Sequence, residues 1–439
     1  MSGLRLLRSF MSLRRPLATA ALAAFAAGAS GCASPSKVTP VGSFGPAFAL
    51  EKDEQRLWER AREEERKLRG EAPLYGDPIL EDYLNQVAQR LVPPEVRGQS
   101  VLKLRVHTIR DPSLNAFTYP NGSIYVHTGL LARLEDEAML ATVLAHEITH
   151  ATHRHALKHE RSTRNKAIGF TIASLAASVL IAAEAGERAQ EGSWKDAYII
   201  NQVGNILVGL GLQLGFLAAV HGFGRDLERE ADDVGLARMV AAGYDPRRAP
   251  RVFEILKDDH GDPSKAEVFF FGSHPALQER IASTREIVAT RYASAAAESR
   301  VTDTRDFRMR MRVLVRDDAA QNIDAGRNHL AQTALDRVLE LTPNDPIARV
   351  LYGRLHEKRA AAAPPEEARA LNRRAMADYE EALRIDPRNA EALRARGILL
   401  YKTGRRTEAL SAFRAFLEVR PDGPESQQIK DYILELEAP

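Results

Sequence analysis

The 439-residue sequence predicts an α+β fold, mostly helical, built in two parts. Three observations carry that expectation. Residues 101–127 hold short β-rich runs set among long segments with helical spacing. His146 and His150, and far downstream Glu228 and Asp232, are pairs four residues apart, which stacks side chains on one helix face. From about Arg310 a helix–turn–helix pattern recurs with a 34-residue period. The chain therefore divides into a leader at 1–31, a tether at 32–50, a mixed domain at 51–293 with an apolar insert at 163–224, a linker at 294–309 and a helical repeat array at 310–439. With 44% hydrophobic residues, both domains can bury a core.

Taken in order, the leader comes first. Arg5, Arg8, Arg14 and Arg15 precede an uncharged, Ala-rich run from Pro16 to Ala29, the pattern of a secretory signal. Ala29-Ser30-Gly31-Cys32 then resembles a bacterial lipobox, with Cys32, the single cysteine, as a lipidated N-terminus. Ala33 after it fits sorting to the outer membrane, so the expected location is periplasmic and lipid-anchored. Conventional cleavage nearby would give a soluble periplasmic protein instead. A lone cysteine leaves no disulfide to support the fold. Loss of residues 1–31 takes 61 basic residues to 57 against 59 acidic ones. That near-neutral balance, with no basic domain, argues against a nucleic-acid partner.

In the mixed domain, Glu51 to Arg69 reads as a charged helix, Asp77 to Leu91 as an amphipathic helix and Val101 to Ile109 as a strand. Thr118-Tyr119-Pro120-Asn121-Gly122 is turn chemistry, and Ser123, Ile124, Tyr125 and Val126 begin a second strand. That strand is expected to be a sheet edge to which an extended peptide adds. An ordinary hairpin strand fits the same residues.

His146-Glu147-Ile148-Thr149-His150 has the spacing that lets two imidazoles reach one zinc ion, with Glu147 beside them to work on a metal-bound water. The segment from Leu130 to His159 lacks Pro and Gly, as a helix requires. A catalytic zinc takes three protein ligands and an open position. Glu228 supplies the expected third, while Asp232, on the same helical face, accepts the outer ring proton of a ligating histidine. Glu230 points away from Glu228 and reads as a surface or salt-bridge residue. A fourth protein ligand would close the site, so His153 and His155 are read as structural.

These residues carry a resemblance. Asn115-Ala116-Phe117, Gly122, His127-Thr128-Gly129-Leu130, His146 to His150, Arg154-His155, Glu228 to Asp232 and His274-Pro275 stand in the order found in HtpX- and BepA-type zinc metallopeptidases. The likeness spans about Gly76 to Arg285. It implies a zincin-like domain with one Zn2+ per chain held by His146, His150 and Glu228. It also implies Glu147 as general base and Asp232 as the second acidic residue, acting on protein or peptide substrates. In BepA-like relatives the histidine matching His274 lies near the metal, so His274 is either a latch or oxyanion partner, or an exposed loop residue.

Between the two paired segments, Ala167 to Ala183 and Tyr198 to Val220 are charge-free runs of 17 and 23 residues. Their Asn, Gln and Gly content favours packing on the domain, on lipid or on a partner over spanning a bilayer. Further on, Ala375, Tyr379 and Pro387 recur 34 residues later as Ala409, Phe413 and Pro421. Ala331, Leu335 and Pro343 precede them by 44, with an insertion expected around Ala360 to Pro365. The period and residue types resemble tetratricopeptide repeats, about three units, which implies a protein partner. The resulting expectation is a lipid-anchored envelope endopeptidase acting on misassembled outer-membrane proteins. The competing one is a repeat-based chaperone or scaffold with latent or minor proteolysis.

Overall fold

A computed structural model describes residues 38–43, 48–99, 101–164, 223–258, 277–298 and 301–438. Cys32, the leader, most of the apolar insert and His274 lie outside the described residues.

Helix α1 (Lys52–Glu71) carries acidic residues in its first turn, and α2 (Pro78–Leu91) starts at Asp77, whose carboxylate accepts from the Ile79 and Leu80 amides. Acidic groups at these ends satisfy free amides and oppose the helix dipole. Three strands follow: β1 (Arg105–Ile109), β2 (Ala116–Thr118) and β3 (Ser123–His127). Their spatial order is β1-β3-β2, with β3 parallel to β1 and antiparallel to β2. Ser123 to Val126 are therefore not at an edge. Both sides of β3 are hydrogen-bonded and all five of its residues are buried, so it cannot receive a peptide. The edge beside the histidine helix belongs to β2.

Two further helices, α3 (Thr128–Arg133) and α4 (Glu137–Thr152), leave the sheet. Every residue of α4 is buried, which its Ala-rich sequence tolerates without a polar face. Asp136 caps it by accepting from the Met139 amide, and the Thr302 carbonyl accepts from the Glu137 and Ala138 amides. Then come α5 (His155–Arg164), α6 (Arg225–Ala241), α7 (Ala249–Asp258) and α8 (Leu277–Thr290). α6 lies against α4 at Gly235, where an added Cβ would stand 3.1 Å from the His146 nitrogen. This close approach sets the depth at which Glu228 and Asp232 face the two histidines.

The repeat array consists of α9 (Thr304–Asp324), α10 (Asn328–Leu341), α11 (Pro346–Ala360), α12 (Pro365–Ile385), α13 (Ala390–Lys402), α14 (Arg406–Val419) and α15 (Pro424–Glu437). Of the residues that define the period, Ala331, Leu335, Ala375, Tyr379, Ala409 and Phe413 are fully buried, while Pro343, Pro387 and Pro421 are exposed after the helices. Gly326 and Gly404 adopt φ of 73° and 78° at equivalent turns, a conformation glycine enters without strain. The ten extra residues of the middle unit are not a loop. They add two residues to its first helix, one to the turn and seven to its second, relative to the unit of α13 and α14.

The described residues of the expected linker, 294–298 and 301–309, are mostly built into elements. Ala293–Ala297 is helical, Val301 bridges to Tyr244, and α9 already begins at Thr304 with Phe307 fully buried. Phe307, Met311, Leu314 and Val315 share one apolar core with Leu130, Leu131 and Ala138 of the first domain. Arg133 and Asp318 form a buried ion pair at 2.9 Å across the junction. Arg337 donates to the Ala132 and Leu134 carbonyls, closing the end of α3. Only the later repeats have cores of their own.

Candidate metal centre

On α4, one turn of helix separates His146 from His150, and their Nε2 atoms lie 2.9 Å apart. Glu228 reaches them from the first turn of α6, with carboxylate oxygens 3.3 Å from His146 Nε2 and 3.7 Å from His150 Nε2. A tetrahedral zinc ion with bonds of about 2.0–2.1 Å separates its ligand atoms by about 3.3 Å. The three side chains thus fit such an ion in chemistry and spacing. All three are buried, and their donor atoms converge as expected from the sequence.

Asp232 stands one turn along α6, away from the three donor atoms. Its Oδ1 accepts from His146 Nδ1 at 2.9 Å, which leaves His146 Nε2 as the ligand atom. Arg280 of α8 clamps the same carboxylate, donating from Nε at 2.8 Å and Nη2 at 2.6 Å. The Arg280 guanidinium also lies 4.3 Å from the Phe253 ring centre. Burial pulls the His146 pKa down, but its hydrogen bonds to the Asp232 and Glu228 carboxylates outweigh it and raise the value to about 9 without metal. Burial disfavours the Asp232 carboxylate too, yet Arg280 and His146 hold its pKa below the usual range. Asp232 thus contacts His146 from behind the three donor atoms, and Glu147 is held from the sheet. Glu147 accepts a 2.6 Å hydrogen bond from Thr118 Oγ1 on β2, and an apolar recess formed by Leu130, Val143, Val252 and Phe253 opens beside it.

His150 has its own support. Its Nδ1 lies 2.8 Å from His155 Nδ1, and both rings are buried. A sharp turn after α4 brings His155 back beneath His150, and Arg154 makes that turn with φ of 58°. A non-glycine residue in this region is strained and needs surrounding contacts to hold it. Arg154 has them: it donates to Glu54 at 2.5 Å and 2.8 Å, to Glu51 and to the Thr39 carbonyl. Glu230 forms an ion-paired cluster with His153 and Lys158, in keeping with its expected salt-bridge role.

Arg280, Thr118 and the link from His155 to His150 were not apparent as site features. Arg280 is one of many arginines in the sequence, and only the packing of α8 against α6 singles it out. The doublet of Arg154 and His155 was the one available signal for the turn.

Comparison with known proteins matches two stretches of the chain. The peptidase family M48 model matches residues 78–288, and the tetratricopeptide repeat model matches 367–433. This chain carries an M48 peptidase domain. A putative beta-barrel assembly-enhancing protease of Vibrio cholerae is 32% identical over 223 residues, 50% of this chain and 42% of that protein. Mitochondrial metalloendopeptidase OMA1 of Schizosaccharomyces pombe is 32% identical over 218 residues, 48% of this chain and 56% of the relative. The beta-barrel assembly-enhancing protease of Escherichia coli is 29% identical over 225 residues, 50% and 41% of the two chains. The chain thus spans about half the length of these relatives, and the M48 match at 78–288 contains His146, His150 and Glu228.

Proposed function

We propose that the M48 domain is a zinc-dependent endopeptidase of the bacterial envelope, with Glu147 as its general base. The observation that carries this reading is the convergence of His146, His150 and Glu228 within tetrahedral ligand spacing, next to a carboxylate on the open side. A bound zinc ion supplies an acidified water and a polarised carbonyl. Glu147 receives the proton at a carboxylate oxygen and returns it to the leaving amine. Thr118 holds that carboxylate on the sheet side. Asp232 and Arg280 keep His146 in one tautomer, so little reorganisation accompanies the reaction.

Substrate backbone is assigned to the β2 edge rather than to β3. The His127 amide donates to the Asn115 carbonyl and the Tyr119 amide to the Ser123 carbonyl, so alternation leaves the Ala116 and Thr118 backbone groups facing away from β3. A peptide added there runs past Glu147, and the neighbouring recess takes an apolar side chain. The names of the bacterial relatives support a role in outer-membrane protein assembly and quality control, and Cys32 lipidation would hold the enzyme at that membrane.

Casein degradation by the purified protein, with and without chelator, tests the reading. Glu147→Gln should retain zinc and lose about 10²–10⁴-fold in rate. Full casein degradation by that variant would remove Glu147 as the base, whereas full rescue of a deletion strain by it would move the function to the repeat array as scaffold or chaperone.

A further inference from the structure

We propose that His153, His155 and Glu230 form a second divalent-cation site, and that an ion bound there weakens the first site. The proposal rests on the metal-centre reading above and extends it. Among the described residues, this is the other group whose imidazole and carboxylate atoms converge closely enough for one ion. His153 Nδ1 lies 2.6 Å from Glu230 Oε1, and His155 Nε2 lies 3.4 Å from Glu230 Oε2. Two imidazoles and a carboxylate with room for solvent suit zinc and cobalt. His153 and Glu230 keep part of their surface exposed, which gives an ion a route in.

A second observation points to a ligand rather than to a completed ion pair. His155 is fully buried, and its Nε2 makes no well-formed hydrogen bond although it is aimed at Glu230. A buried ring nitrogen left in that state is costly, and a cation would satisfy it. Lys158 already places a positive charge on Glu230, at 2.9 Å and 3.1 Å from its two oxygens. An arriving ion displaces that flexible, partly exposed ammonium and takes over its charge. The strained turn at Arg154, anchored by Glu54, fixes His155 between the two sites.

The antagonism follows from counting protons. When His150 Nε2 is a metal ligand, its proton sits on Nδ1 and donates to His155 Nδ1 at 2.8 Å. His155 then carries its own proton on Nε2, toward Glu230. An ion at the second site takes the Nε2 lone pair and drives that proton to Nδ1. Two N–H groups would then face each other across the gap, and the pair opens. His150 loses its brace, and by linkage each ion binds more weakly in the presence of the other.

Titration of the metal-free full chain with Co2+, followed by visible absorption and by metal content after dialysis at fixed free metal, reads both events. The unaltered protein should show two phases, with two ions per chain at excess metal. Casein degradation should return with the first equivalent of Zn2+, and the affinity of the first site, read by chelator competition, should fall at least about fivefold once the second site fills, the lower end of typical coupling. In His153→Ala, and independently in Glu230→Gln, the first phase should persist while the second phase and the weakening of the first site by excess metal disappear. A single phase in the unaltered protein, or a second phase that survives in both variants, overturns the proposal and leaves the first site standing. Failure of even one ion to bind would overturn both.

Discussion

Asp232 is buried against His146 on one side and Arg280 on the other, so the three act as one charge-balanced unit. Without metal, this unit and Glu228 keep His146 protonated up to about pH 9. An incoming ion must expel that proton. Apparent zinc affinity should therefore fall about tenfold per pH unit below 9 and level off above it, as competition with a chromophoric chelator would show. Asp232→Asn removes the acceptor charge, lowers the His146 pKa and flattens that slope. It should also weaken zinc binding by about 10–100-fold. Arg280→Ala leaves the Asp232 carboxylate buried beside an uncompensated site, and should cost about 3–5 kcal/mol in urea unfolding. The pair of histidines and the pair of carboxylates were legible in the sequence because a four-residue spacing is local information. Arg280 was not, since its place depends on a helix 48 residues beyond Asp232.

Helices α4 and α6 can meet closely only because Gly235 presents no side chain to the His146 backbone. In Gly235→Ala the new methyl would press on helix backbone, which yields poorly, and the helices must separate by a few tenths of an ångström. The expected result is a loss of about 1–3 kcal/mol in unfolding free energy, accompanied by faster zinc release to chelator. Unchanged zinc release would mean that α6 tolerates the shift without moving Glu228. A similar contact holds the repeats, where an added Cβ at Gly353 would stand 2.2 Å from the Tyr379 ring. The triplets spaced 34 and 44 residues apart could be aligned by eye, because each repeat restates the same local packing. The sheet could not be read in this way. Ser123 to His127 form a strand, as the run of Ile, Tyr and Val suggests, but edge or centre is decided by pairing with β1 and β2. The absence of alternation along that run was the one local hint that both faces are covered.

At the scale of the whole chain, α9 belongs to two units at once. It opens the repeat array, and it also completes the wall of the M48 domain behind α3. The composition change near Arg310 marks where repeat-like residues begin, but it carries no information about what those residues pack against. Cutting at that point should consequently damage the peptidase. A fragment of residues 38–309 loses Met311, Leu314 and Val315 from the shared core, uncovers the apolar face of α3 and removes the Asp318 carboxylate from Arg133. Each fully buried apolar side chain is worth about 1.5–3 kcal/mol, so uncovering that shared core is a large loss for a marginally stable domain. A fragment of residues 38–361 retains the ion pair, the Arg337 contacts to the α3 carbonyls and the first three repeat helices. It should unfold cooperatively at a urea midpoint near that of the full chain and keep its zinc. The shorter fragment should be largely unfolded, or lose zinc, under the same conditions. Equal midpoints for the two fragments would show that the shared core contributes nothing to the peptidase and that the repeats are a separable appendage.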